Sequence, residues 1–263
     1  MSQTLEILAK ALASGGLVWL LVRSVDGAPA RITALVISLP MVLGAGFVAM
    51  AGSADDAFVR QAALASAQAM PGLIVFATLA ARFFDRLPAV ALTALGCAGW
   101  AVTAWVLTIW HWSLGVSVAV FAGVMALSHL VFPIRAAFPA ASATAPALRR
   151  RAWPVAVQAG LMVLVLSLTA QALGPRLSAL VAAIPVAMIV ITLDMRRRNS
   201  PNWRPTLQSA RLGYAALLVY AMAVALLAQQ IGGMAATLVA FLPALAATAL
   251  TITLRTHLTE SPA

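Results

Sequence analysis

Few side chains in this sequence can do chemistry, and those that can lie in apolar surroundings. Pro40 sits in Ser38-Leu39-Pro40-Met41-Val42-Leu43-Gly44-Ala45-Gly46, and Pro185 stands 145 positions later in a second apolar segment. A proline inside a helix removes one hydrogen bond and frees a carbonyl nearby. In hydrocarbon such freed groups, together with the dipole ends of the two half-helices, must meet protein, water or a polar solute. The alternative use of the pair is a kink that improves packing, since membrane helices tolerate proline. Gln68, followed by Ala69-Met70-Pro71-Gly72, marks another candidate break. Its amide needs a partner in lipid, and a bond to a neighbouring helix is the commoner way to supply one. The threonine pairs Thr103/Thr248 and Thr108/Thr253 can line a path or bond a carbonyl of their own helix. The candidate solute path is therefore Pro40, Pro185, Gly44, Gly46, Gln68, Pro71, Thr103 and Thr248.

No catalytic residue, metal ligand set or cofactor site is expected. All seven carboxylates, Glu6, Asp26, Asp55, Asp56, Asp85, Asp194 and Glu260, fall at span ends or in loops. A proton-coupled exporter built on a central acid needs a titratable group along its path. Zinc-protease, nucleophile-elbow and phosphate-loop patterns are missing. Asp55-Asp56 reads as a solvated turn, and Trp110-His111-Trp112 as an interfacial aromatic belt. His129 lies near one end of its span, and Cys97 is the single cysteine, so no intrachain disulfide forms. An enzyme is the least favoured class.

The elements that must position these residues are membrane helices. With 63% hydrophobic and 9% charged residues over 263 positions, the chain reads as an all-α polytopic membrane protein. Nine apolar stretches approach the length that crosses a bilayer: residues 5–22, 31–51, 61–81, 87–109, 114–134, 154–173, 177–195, 207–228 and 234–254. Backbone groups in hydrocarbon must be bonded internally, and the alternating pattern of an outer-membrane barrel is missing, so helices are nearly forced. The first stretch carries Glu6 and Lys10 and has no convincing cleavage site, which reads as a permanent helix rather than a signal peptide.

The net charge of +10 reads as a topology signal, with no nucleic-acid partner implied. Of 17 basic residues, fourteen fall in the loops after odd-numbered helices or in the tail; Lys10, Arg60 and Arg176 fall on the other side. Positive residues favour the cytoplasm, so the expected localisation is a bacterial inner membrane, with the N-terminus outside and the C-terminus cytoplasmic. Arg211 is grouped here with the cytoplasmic loops.

Residues 9–110 recur, without a gap, at 154–255. The register pairs Gly15 with Gly160, Arg31 with Arg176, Ala34-Leu35-Val36 with Ala179-Leu180-Val181, Pro40 with Pro185, and Thr103 with Thr248. One register serving four helices is a repeat signature. The stretch at 113–132 is long enough to span, and one extra crossing inverts the second copy. The expected fold is two inverted four-helix repeats, 1–110 and 154–263, joined by a linker helix and basic loop at 111–153, an arrangement many transporters use.

Arg86-Leu87-Pro88-Ala89, followed by Gly96-Cys97-Ala98-Gly99-Trp100 and Ala104-Trp105-Val106-Leu107, resembles the GlpM family of small bacterial inner-membrane proteins. The resemblance covers about residues 5–109, and it implies a fused, duplicated version of a four-helix unit. The second copy departs from it, with Gly232-Gly233 where Leu87-Pro88 stand. Two functions are expected from these features: movement of a small solute through a path between the repeats, or a non-transport accessory or assembly role. The lipid bilayer is the implied partner, with a small-molecule solute in the first case.

Overall fold

The computed structural model describes residues 8, 11, 12, 15, 16, 19, 20, 40–110, 112–133, 145–197, 199 and 203–260, with only part of the side chains beyond residue 145. The described residues form helices and short connections, with no strand among them. Helical positions between Leu8 and Leu20 precede α1 (Met41–Ala51), α2 (Asp56–Phe83), α3 (Ala89–Ile109) and α4 (Leu114–Val131). After them come α5 (Ala145–Ala182), α6 (Val186–Arg197), α7 (Trp203–Ile231), α8 (Gly233–Val239) and α9 (Phe241–Glu260).

Five of the described segments are long and apolar enough to cross a membrane: Asp56–Phe83, Ala89–Ile109, Leu114–Val131, Ala210–Ile231 and Gly233–Thr251. Met41–Ala51 and Ala172–Ala182 are shorter apolar helices. Such helices fit a membrane protein. Most of the expected span at 5–22 and residues 31–39 of that at 31–51 lie outside the described residues.

The centre of the bundle is α2, which packs on α3, α4, α5 and most extensively on α7. Its small residues make this possible: Ala62, Ala63, Ala67, Ala69, Ala77 and Ala80 are fully enclosed, with Ile74 and Phe76 filling the gaps between them. Small side chains let helices approach where the hydrophobic effect no longer drives them together. The outer helices α3 and α4 instead present Val102, Trp105, Leu127 and Leu130 outward. An apolar exterior over an enclosed small-residue core is what a lipid solvent selects.

Helix ends differ from the expected spans for local reasons. Helix α2 starts five residues ahead of its expected span because Asp55 caps it, accepting a hydrogen bond from the Phe58 N–H at 2.7 Å. The expected solvated turn at Asp55-Asp56 is thus a helix start. The neighbouring Asp56 carboxylate accepts from the Gly233 N–H at the start of α8. Gly232 has a φ of +84°, a conformation open to glycine, and Gly233 supplies the donor that its register mate Pro88 lacks. Gly232 and Gly233, which depart from the Leu87-Pro88 pattern, therefore tie the start of α8 to the start of α2.

The expected span at 234–254 is divided at Ala240 into α8 and α9. Pro243 has no N–H for the Val239 carbonyl, so the first helix ends there. The expected spans at 154–173 and 177–195 are separated by a kink at Gly174, whose φ of +74° suits glycine, and Ser178 ties the two sides by donating to the Ala170 carbonyl at 3.3 Å; the second span is divided again, between α5 and α6, at residues 183–185.

Candidate functional site

Pro185 stands in a true interruption. The last helical bond of α5 joins the Ala183 N–H to Ala179, the Ile184 N–H tightens back onto Val181 at 3.2 Å, and α6 begins with the Ile189 N–H donating to the Pro185 carbonyl at 2.9 Å. Between these bonds, no backbone donor among the described residues reaches the carbonyls of Ala182, Ala183 and Ile184. Ala182, Ala183 and Pro185 are buried and Ile184 is half-buried, so the interruption lies at least partly inside the protein. Unpaired buried carbonyls are uncommon and call for water, an ion or a ligand.

Pro40 occupies the matching position in the first copy. It precedes α1 as Pro185 precedes α6, is buried, and accepts the Gly44 N–H at 2.6 Å. Helices α1 and α6 thus begin at Met41 and Val186, which share a register position. The symmetry extends to neighbours, since α3 packs on α6 while α8 packs on α1.

The glycines after Pro40 explain how α1 reaches the second copy. A Cβ on Gly46 would stand 3.1 Å from the Ala182 Cβ, at the lip of the Pro185 interruption, and 3.0 Å from Leu166. A Cβ on Gly44 would lie 3.3 Å from the Tyr220 hydroxyl and would collide with the Phe241 ring. Tyr220 donates to the Thr237 carbonyl at 3.1 Å and packs edge-on against Phe47. Gly46 therefore meets the end of α5 near the Pro185 interruption, while Gly44, four residues after Pro40, faces α7 and α9.

The remaining path candidates are not brought to this contact by any bond. Helix α2 runs unbroken through Pro71, so the expected break there is not formed. The packing of α2 on four neighbours holds it straight enough to continue. Gln68 donates to the Trp112 carbonyl at 3.4 Å, a bond to the loop ahead of α4. Thr103 donates to Gly99 and Thr248 to Ala244, each within its own helix. Thr108 likewise bonds Ala104, and its oxygen also accepts from Arg176 Nε at 3.3 Å. Trp110 and Trp112 stack with ring centroids 6.2 Å apart, and His111 lies outside the described residues. Among the described residues no group of three or more His, Cys, Asp or Glu could hold a metal.

A second feature of the contact is reciprocal. A Cβ on Gly15 would meet the Ala156 carbonyl at 2.9 Å, and one on Gly160 would meet the Ala11 carbonyl at 3.1 Å. Gly15 and Gly160 are register mates, as are Ala11 and Ala156.

Sequence reasoning missed Arg211. Far from a loop, it is fully buried. Its Nη1 donates to the Ser128 carbonyl at 2.9 Å and hydroxyl at 3.1 Å, and its Nη2 to the Phe132 carbonyl at 2.8 Å. The signal was present, because position 211 falls one turn inside the expected span 207–228. Comparison with known proteins finds no matching family model, no curated relative and no similar solved structure.

Proposed function

We propose that this chain is an integral membrane protein that moves a small solute along a path between two inverted copies of one four-helix unit. The observation that carries this reading is the interruption at residues 183–185. No backbone donor among the described residues reaches the carbonyls of Ala182, Ala183 and Ile184, just ahead of Val186, the register mate of the residue that opens the Pro40-headed helix. Paired discontinuous helices at equivalent positions are the device by which many transporters present backbone dipoles to a solute. A path lined by carbonyls suits a solute that donates hydrogen bonds or carries positive charge. The linker helix α4 is long and apolar enough to make the odd crossing that inverts the second copy. The distribution of arginine supports a bacterial inner membrane with the N-terminus outside and the C-terminus cytoplasmic. On this reading the first copy is akin to a GlpM-like unit.

A second reading is favoured by the close Gly15/Gly160 contact and by threonines that satisfy themselves. It makes the duplicated helices an accessory or assembly protein with no open path. A flux screen in proteoliposomes, covering glycerol, small organic anions and monovalent cations, separates the two. The transport reading predicts at least one solute moving faster than through protein-free liposomes; no movement of any solute supports the accessory reading.

A further inference from the structure

Arg211 is a charge enclosed in the bundle, with no counter-charge among the described residues. Its three hydrogen bonds all go to neutral oxygens of α4 and its terminal turn. Three of the five guanidinium N–H groups are thereby used. Its Nε–H, on the remaining edge, has no partner. No carboxylate among the described residues pairs with it, and the whole chain holds only seven. Buried charges in proteins are otherwise paired, because an unpaired one forfeits its hydration.

A second orphan lies beside it. Tyr214 is one helical turn further along α7, on the same face, and its buried hydroxyl also has no hydrogen-bond partner. An aromatic wall closes the area: the Phe132 ring lies 5.2 Å from the Arg211 guanidinium carbon, Trp203 stacks on Phe132 at 6.1 Å, and Phe84 stacks on Trp203 at 4.6 Å. Unlike a neutral orphan pair, this set has one donor that carries full charge and one hydroxyl that can donate to the same acceptor.

We propose that Arg211 and Tyr214 form a binding site for an anionic oxygen group, a carboxylate or phosphate, at the junction of the linker helix and the second repeat. One oxygen of the anion accepts from the free guanidinium edge of Arg211 and another from the Tyr214 hydroxyl. Charge-assisted bonds of this kind are about twice as strong as neutral ones. The bonds already made to Ser128 and Phe132 hold the guanidinium plane in place, so the site is preorganised. The anion is a free small molecule or the headgroup of an acidic lipid. The inference does not rest on the transport reading, since neither residue belongs to the proline-bordered contact.

The test uses the full-length protein in nanodiscs, following its melting temperature and tryptophan fluorescence. In neutral phosphatidylcholine discs, inorganic phosphate and acetate are titrated at constant ionic strength; in a parallel arm phosphatidylglycerol replaces part of the lipid. The expected result is a saturable rise in Tm of at least about 2 °C in one arm. A response to phosphate or acetate assigns a free anion, and a response to phosphatidylglycerol alone assigns a headgroup. Tyr214→Phe should raise the half-saturating concentration about tenfold, the loss of one bond to a charged group. Arg211→Gln should abolish saturation. If Arg211→Gln does not fold, Tyr214→Phe decides alone. No saturable response of the wild type in either arm, or an unchanged half-saturation in Tyr214→Phe, overturns the site.

Discussion

Gly15 and Gly16 are adjacent residues with opposite demands. A Cβ on Gly15 would stand 2.9 Å from a backbone oxygen, which cannot swing away, whereas a Cβ on Gly16 meets nothing within 4 Å. Gly15→Ala should therefore destabilise the protein by about 1–3 kcal/mol through overpacking. Gly16→Ala should be neutral or stabilising by about 0.5–1 kcal/mol, because alanine suits a helix better. Thermal unfolding of the two variants in one detergent checks the contrast, and equal Tm values would contradict the contact. Here the sequence was informative in part: the register paired Gly15 with Gly160, yet pairing in register does not say that two residues touch. Contact needs the third dimension, as do the self-bonded threonines, whose hydroxyls satisfy themselves because no neighbouring helix offers a better oxygen.

Helices α1 and α6 start directly after Pro40 and Pro185, and that much follows from the chemistry of proline. The uninterrupted course of α2 through Pro71 did not, because four packed neighbours decide it and none is visible in a local window. Nor did the division at Ala240, although Pro243 carried the signal. Capping is similarly local once recognised: Asp55 precedes an apolar run and accepts from Phe58. Asp55→Ala should lower stability by about 1 kcal/mol, measured by thermal unfolding, while Asp55→Ser or Asp55→Asn should retain most of it. Arg211 was read by its charge as a loop residue, and the structure instead encloses it against the end of α4, where its guanidinium donates to the Ser128 and Phe132 carbonyls.

At the scale of the molecule, the proposed function needs a two-fold relation between residues 1–110 and 154–263, a proposal motivated by the contacts of Gly15 with Ala156 and of Gly160 with Ala11. If the axis lies in the membrane plane, single cysteines at positions 31 and 176, introduced in a Cys97→Ser background, should label from opposite faces with an impermeant reagent. Labelling from one face would place the axis along the membrane normal and remove the inversion. A reporter fused after Pro262 should in turn behave as cytoplasmic. The central claim is that the two proline-bounded helix starts border the path. Its most direct measurement is the initial rate of flux, per inserted protein, of the solute carried best by the wild type, compared in proteoliposomes with the Pro40→Ala/Pro185→Ala double variant. Restoring an N–H at residue 185 lets the helix run on through the interruption and bond the carbonyls now left open, so the account predicts at least about a tenfold change in rate with insertion and Tm close to wild type. An unchanged rate in a normally inserted double variant would contradict it.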